Sequence, residues 1–345
     1  CFQMAEPGAA ERRPLVEIRH LKTFFPVRKG VLRRTVGYVK AVNDVSLTIY
    51  RGETLGLVGE SGCGKTTLGK TLLRLVPASE GEIFYDFDGV PRDLRKLDEK
   101  AMDEARHRMQ IVFQDPYSSL NPAFTIFGSL RDPMRRFGVK KRREQRRIIG
   151  ELLEAVNMRP EHMDRYPHEF SGGQRQRIGV ARALTVNPEL IVCDEAVSAL
   201  DVSIQAQVLK LLEKLKRERN LTYVFISHAL SVVEYIADRI AVMYLGRIVE
   251  LADAQDLYRD ALHPYTQALL SAIPVADLDH KKSRIVLQGD VPSPVNPPPG
   301  CPFHPRCPRC VEVCRQVFPE LKAYQTEGRT HWAACHLVDR EEQTI

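Results

Sequence analysis

The sequence predicts an α/β protein. A mainly parallel sheet flanked by helices is joined by an antiparallel β subdomain, a separate helical lobe and a small cysteine-rich C-terminal domain. Three observations carry this. First, a glycine-rich loop, Gly59-Glu60-Ser61-Gly62-Cys63-Gly64-Lys65-Thr66, lies between a short apolar run at 54–59 and a helical stretch at 68–76. That is the strand, loop and helix in which a phosphate-binding loop sits. Second, short apolar runs at 110–114, 190–193 and 222–226 are separated by helical periodicity, as buried parallel strands are. Third, beyond Pro274 the composition turns to proline and then to cysteine.

Taken in order, residues 1–13 are expected to be a flexible N-terminus. Cys1 to Gln3 precede Met4, the natural start, and are read as an expression remnant. The opening residues lack a basic segment followed by an apolar one, so no secretory signal is expected. Residues 16–18 and 42–50 alternate apolar and polar, as edge strands of an antiparallel sheet do. The basic stretch 29–40 between them is expected to be irregular. A Pro/Ser/Asn turn follows the strand at 110–114. From 125 to about 184 the period is helical with charged faces, which gives a lobe at about 121–184. Its basic run, Arg135 to Arg147, is read as a solvated helix face. Residues 202–219 form an amphipathic helix, and 239–242 and 247–251 are further short strands. The nucleotide-binding domain then spans 14–262, a proline-rich, semi-rigid linker spans 263–300, and a cysteine-rich tail spans 301–345. No internal repeat is evident.

The chain has 345 residues, 43% of them hydrophobic, enough for one large domain and a small appendage. The net charge of +6 is mild at this length and gives no nucleic-acid signal of its own. No apolar run has the length that crosses a bilayer, so membrane work is expected to pass through partners. Five of the eight cysteines crowd into residues 301–335, which fits a reducing compartment and a terminal metal site better than a disulfide scaffold.

The glycines at 59, 62 and 64 let backbone N–H groups converge on phosphate oxygens, and the following helix adds its positive end. Lys65 is expected to reach the β- and γ-phosphates, and the Thr66 hydroxyl to ligate Mg²⁺. Asp194 ends an apolar strand, where its carboxylate can hold Mg²⁺ through water. Glu195 follows as the candidate general base. The nucleotide set is completed by Ser61, Cys63 and Thr67.

With these residues in place the chain resembles an ABC transporter ATPase over roughly residues 14–262. The resemblance implies a RecA-like P-loop NTPase core. Gly59 to Thr66 match the Walker A loop and Gln114 the Q-loop. Phe170 followed by Ser171, Gly172, Gly173 and Gln174 matches the signature motif, with Phe in place of Leu. Asp194 and Glu195 match Walker B and the catalytic glutamate, and Ser198 to Asp201 the D-loop. His228 matches the switch histidine, although Ala229 stands where the family usually has Asp. The family also stacks an aromatic on adenine. Phe25 is the choice here, with Phe24 and Tyr38 as rivals. The resemblance implies a mechanism in which the signature residues of one chain face the γ-phosphate held by another.

Three segments resemble the oligopeptide and dipeptide importers: Gln114 to Pro122, His263-Pro264-Tyr265-Thr266, and the cysteine tail. The wording at Tyr117-Ser118-Ser119 and the intact 171–177 resemble the F-type subunit. That implies a D-type ATPase partner, two membrane permeases, an extracytoplasmic solute-binding protein, no nucleic acid, and a peripheral place on the cytoplasmic face of the membrane. The stretch 117–122 is where a permease loop is expected to dock. Nickel or oligosaccharide importers share this head. So do ABC ATPases acting on nucleic acid or ribosomes, but those carry a long coiled coil or two heads in one chain.

The tail spacing is Cys301-x5-Cys307-x2-Cys310-x3-Cys314-x20-Cys335, with His304, His331 and His336 nearby. Five such thiols can hold a tetrahedral metal or a cluster. In the related importers, cysteines matching Cys301, Cys307, Cys314 and Cys335 hold an iron–sulfur cluster. The resemblance therefore implies [4Fe-4S], with Zn²⁺ as the alternative. Cys310 departs from the pattern.

Overall fold

The computed structural model describes residues 13–30, 34–115, 119–273, 284–326 and 329–338. The chain divides into two compact units: residues 1–50, 55–95 and 228–345, and residues 51–54 and 96–227. The expectations for residues 1–12 and for 116–118 of the docking stretch lie outside the described residues.

In the first unit, four antiparallel strands run in the order Arg34–Tyr50, Pro14–Lys29, Glu80–Phe87, Val90–Asp93. Leu15, Val16, Ile18 and Leu21 point into the core with Val42, Val45, Leu47 and Ile49 of the neighbouring strand. The expected irregular stretch at 29–40 is corrected. Pairing continues from Phe25↔Val39 out to Lys29↔Arg34, because a two-stranded ribbon needs backbone hydrogen bonds and not an apolar face. The strand containing residues 16–18 is also not an edge, since it pairs with Glu80–Phe87 on its other side. Glu80–Phe87 and Val90–Asp93 form a hairpin that turns at Asp88-Gly89, both in the left-handed region, which is the Asp-Gly turn signature.

The same unit carries Thr54–Val58, parallel to Arg239–Tyr244 with Leu55 opposite Arg239 and Val58 opposite Val242. Every residue of both strands is buried, as both faces of a parallel pair usually are. Arg239–Tyr244 turns back through Leu245 and Gly246 into antiparallel Arg247–Asp253. The cysteine tail then adds two strands. Arg329–Ala333 pairs with Arg247–Asp253, and Lys322–Thr326 pairs with Arg329–Ala333. The tail thus belongs to the first unit and does not form a compact unit of its own. The helix after the glycine loop is Lys65–Leu72, starting and stopping earlier than residues 68–76. The expected linker 263–300 is corrected at its start, where Pro264–Ser271 is a helix; its residues 284–300 contain neither helix nor strand. They are tied to the β subdomain where Lys40 N–H donates to the Pro294 carbonyl at 3.1 Å.

A fully buried carboxyl group knots these pieces together. Glu250, in Arg247–Asp253, accepts the N–H of Leu262 at 2.6 Å and of His263 at 3.1 Å, and His331 Nε2 lies 2.7 Å away. One side chain therefore joins the sheet, the turn that leaves it, and the tail strand. Buried donors without an acceptor are costly.

In the second unit three parallel strands, Met109–Val112, Leu190–Asp194 and Thr222–Ile226, run side by side in that order. Glu189, just before the middle strand, receives both Arg51 and Arg108. Helix Glu99–Arg108, which the sequence reading omitted, is capped by Asp98, whose carboxylate accepts Ala101 N–H at 2.8 Å. The lobe consists of helices Ile126–Arg136, Arg142–Ala155 and Gly172–Leu184 with two short 3₁₀ turns. Its basic run spreads over two helices and is solvated. Arg136 pairs with Asp103, Arg146 with Asp164 and Arg147 with Glu151. The amphipathic helix is Val202–Arg219, with the bounds expected, and it ends at Asn220 in the left-handed region.

Truncating the knot tests its role. Glu250→Ala is expected to lower stability by about 3–5 kcal/mol, and Glu250→Gln, which keeps an acceptor, by about half that. Denaturant midpoints of the purified chain measure both.

Candidate nucleotide site

The glycine loop is pressed against the backbone of two strands. Gly59, Gly62 and Gly64 have φ of 149°, 80° and 106°. A Cβ on Gly64 would stand 1.9 Å from the Ala41 carbonyl oxygen, and one on Gly59 2.2 Å from that of Met243. Two hydrogen bonds hold the loop there: Gly246 N–H to the Cys63 carbonyl at 2.9 Å, and Asn43 N–H to the Gly246 carbonyl at 2.8 Å. The Lys65 side chain is buried, and its ammonium donates to the carbonyls of Gly59 at 2.7 Å and Glu60 at 3.0 Å. Burial pushes the Cys63 thiol up, with Lys65 acting against that shift. Gly64 caps Lys65–Leu72 without a side chain, so the first N–H groups of the helix stay available to an anion. Thr66 and Thr67 sit half-buried in that first turn, and Ser61 and Gly62 are exposed. Phe25 and Tyr38, 40% and 52% exposed, stand one register step apart on paired strands, whereas Phe24 is half-buried. His228 is exposed after buried Ser227. Ala229 is the N-cap of Leu230–Ile236 and offers no side-chain acceptor there.

The second unit brings together another set. Asp194 ends its strand, 4% exposed. Glu195 follows with φ 47°, its N–H on the Ile226 carbonyl at 3.0 Å. A left-handed glutamate is strained, and such strain gathers at functional sites. Gln114 Nε2 donates to Glu195 Oε2 at 2.9 Å, so the sequence-predicted water-sensing residue grips the predicted base. Ser171 and Gln174 form a reciprocal capping box at the start of Gly172–Leu184. Gly173 faces Ile204, where a Cβ would lie 2.4 Å from a methyl. Asp201 caps Val202–Arg219 through Ile204 N–H at 3.0 Å, and that bond lowers its pKa. The glycine loop, Phe25 and His228 belong to the first unit. Gln114, Ser171 to Gln174, Asp194, Glu195 and Asp201 belong to the second.

In the tail, Cys301, Cys307, Cys314 and Cys335 line one cavity of about 10 Å³ together with His304 and His336. Cys310 is not among them, and its thiol faces the Val311 carbonyl at 3.6 Å. Burial pushes Cys301 up to about 12 and Cys307 up to about 11, and it also raises Cys335. The neighbouring thiols act in the same direction. Among the described residues, no three His, Cys, Asp or Glu side chains are placed to hold a single metal ion.

A family profile described as ABC transporter matches residues 42–198, and one described as the C-terminal region of oligopeptide/dipeptide transporters matches 249–314. The oligopeptide transport ATP-binding protein AppF of Bacillus subtilis is 52% identical over 95% of this chain and 99% of its own length. The chain belongs to the ABC transporter ATPases. A probable peptide ABC transporter ATP-binding protein, y4tS of Sinorhizobium fredii, is 49% identical over 94% of this chain and 90% of its own. Among solved structures, the ATP-binding cassette MJ0796 bound to ADP and Pi matches with 27% identity and a TM-score of 0.59. The match covers 70% of this chain and 99% of that one.

In this ATPase the motif residues were legible one by one, but two contacts to the glycine loop were not. The Arg306 guanidinium grips the Glu60 carboxylate, and the Tyr265 hydroxyl accepts the Glu60 N–H. Both partners lie more than 200 residues downstream, and no local pattern announces them.

Adding one carbon tests the fit of the loop. Gly64→Ala is expected to weaken nucleotide binding on the order of a hundredfold, because the loop must leave the Ala41 carbonyl. Titration with a fluorescent ATP analogue measures it.

Proposed function

We propose that this ATPase powers uptake of di- and oligopeptides across the cytoplasmic membrane, as one of two nucleotide-binding subunits. The observation that carries the reading is the span of the resemblance. The peptide-transport relatives match from the β subdomain into the cysteine tail, not only over the ATPase motifs. Among the described residues no helix is long and apolar enough to cross a membrane. Translocation therefore falls to two permeases, with a solute-binding protein outside and this chain docked on the cytoplasmic face. The second ATPase is a D-type homologue.

The chemistry follows from the side chains. The loop N–H groups and Lys65 bind the β- and γ-phosphates, Phe25 stacks on adenine, and Thr66, Gln114 and Asp194 would hold Mg²⁺. When bound, Mg²⁺ supplies charge neutralisation at the phosphates. Glu195, oriented by Gln114, takes the proton of the attacking water. His228 and the partner's counterpart of Ser171 to Gln174 contact the γ-phosphate, so ATP joins the two subunits and hydrolysis parts them. In the tail, the thiols of Cys301, Cys307, Cys314 and Cys335 share one cavity with His304 and His336, a donor set that supports a [4Fe-4S] cluster, with Zn²⁺ as the alternative. Cys301, Cys307, Cys314 and Cys335 would be its ligands. Bound there, a cluster supplies cross-linking of the tail.

Glu195→Gln is expected to slow phosphate release in the reconstituted importer by about 10²–10⁴-fold with ATP affinity unchanged. Unaltered turnover would remove Glu195 from its role. Anaerobically purified protein is expected to carry iron and acid-labile sulfide in equal amounts. A colourless chain with stoichiometric zinc would decide for the alternative.

A further inference from the structure

The glycine loop carries a carboxylate. Glu60 is the first residue after Gly59, and a negative charge in a loop that receives a triphosphate opposes the ligand unless it is neutralised. Arg306 neutralises it. Its two terminal nitrogens stand 2.7 and 3.0 Å from the two Glu60 oxygens, in a bidentate pair across 246 residues of sequence. The Arg306 side chain is 8% exposed and Glu60 29%, so the pair is sheltered from the screening that makes surface pairs weak. The backbone of Glu60 is held from the same side, its N–H donating to the Tyr265 hydroxyl at 2.9 Å.

Arg306 is itself fixed. It ends the 3₁₀ turn His304–Arg306, between the cavity cysteines Cys301 and Cys307, with its N–H on the Phe303 carbonyl at 3.0 Å. Phe303 is 1% exposed, its ring 5.4 Å from both Tyr244 and Tyr265. Tyr244 in turn immediately precedes the Leu245-Gly246 turn that pins Cys63. The guanidinium is thus presented to the loop by a rigid aromatic base.

We propose that Arg306 is a positioning residue of the nucleotide site: the C-terminal tail reaches back to mask and hold the Glu60 carboxylate so that the glycine loop accepts a polyanion. The proposal rests on the reading of Gly59 to Thr66 as the nucleotide site. Arg306 acts through Glu60. The tail is in that case a working part of the ATPase, and disturbing the turn between Cys301 and Cys307 disturbs ATP binding.

The test is titration of the full chain with a fluorescent ATP analogue and Mg²⁺, alongside thermal unfolding. Arg306→Ala is expected to weaken binding roughly tenfold, and Arg306→Lys to restore it to within about threefold of wild type. Tyr265→Phe, which keeps the ring and loses the acceptor, is expected to weaken binding about threefold. The deciding variant is Glu60→Gln added to Arg306→Ala. Removing the unmasked charge is expected to recover most of the lost affinity, which no merely structural role of Arg306 predicts. If Arg306→Ala unfolds, Arg306→Met, which keeps the buried stem, is judged by the same criteria. Wild-type affinity in Arg306→Ala, or a double variant as weak as the single, overturns the proposal. Lys65→Ala separates the two levels. If it abolishes binding while Arg306→Ala does not, only the role of Arg306 falls. If it binds normally, the reading of the loop falls, and the proposal with it.

Discussion

The closest approach in the nucleotide site is between backbone and backbone. The glycine loop lies so near the carbonyls of Ala41 and Met243 that positions 59 and 64 have no room for a Cβ. That contact sets where the loop N–H groups point and where Lys65–Leu72 begins. It also makes the β subdomain and the Arg239–Tyr244 strand walls of the site. The loop is a surface stretched over these strands, and its shape is only as firm as they are.

Their firmness comes from unlike sources. Thr54–Val58 and Arg239–Tyr244 are held by parallel pairing and apolar burial on both faces. The Leu245-Gly246 turn is held by hydrogen bonds on either side, to Cys63 and to Asn43. The tail is held by the fully buried Glu250, which gathers partners from two other segments. In the other unit, strain and capping take over. Glu195 occupies a left-handed conformation that its N–H bond to Ile226 sustains, and Gln114 fixes its carboxylate.

The cysteine tail shows how a segment that reads as an appendage becomes integral. Its composition marks it off, and its strands nevertheless extend the sheet of the first unit. Four of its cysteines meet around one cavity, and the fifth, Cys310, lies beside Cys314 outside that lining. One of its aromatic residues, Phe303, enters the cluster formed by Tyr244 and Tyr265.

The sequence by itself determined what depends on neighbours along the chain. The glycine loop between strand and helix, the acids ending an apolar run and the bounds of Val202–Arg219 are short-range patterns, each with its own chemistry. The ribbon at 34–40 escaped because a hairpin held by backbone bonds leaves no apolar alternation to read. Only tertiary structure decided that Cys310 does not line the cavity of the other four thiols, that Glu250 is a knot and not a surface acid, and that Arg306 meets Glu60. These are contacts between residues dozens to hundreds of positions apart, settled by how the sheet registers and the tail folds back. No periodicity or spacing in a single strand of text encodes the direction in which a distant side chain will approach.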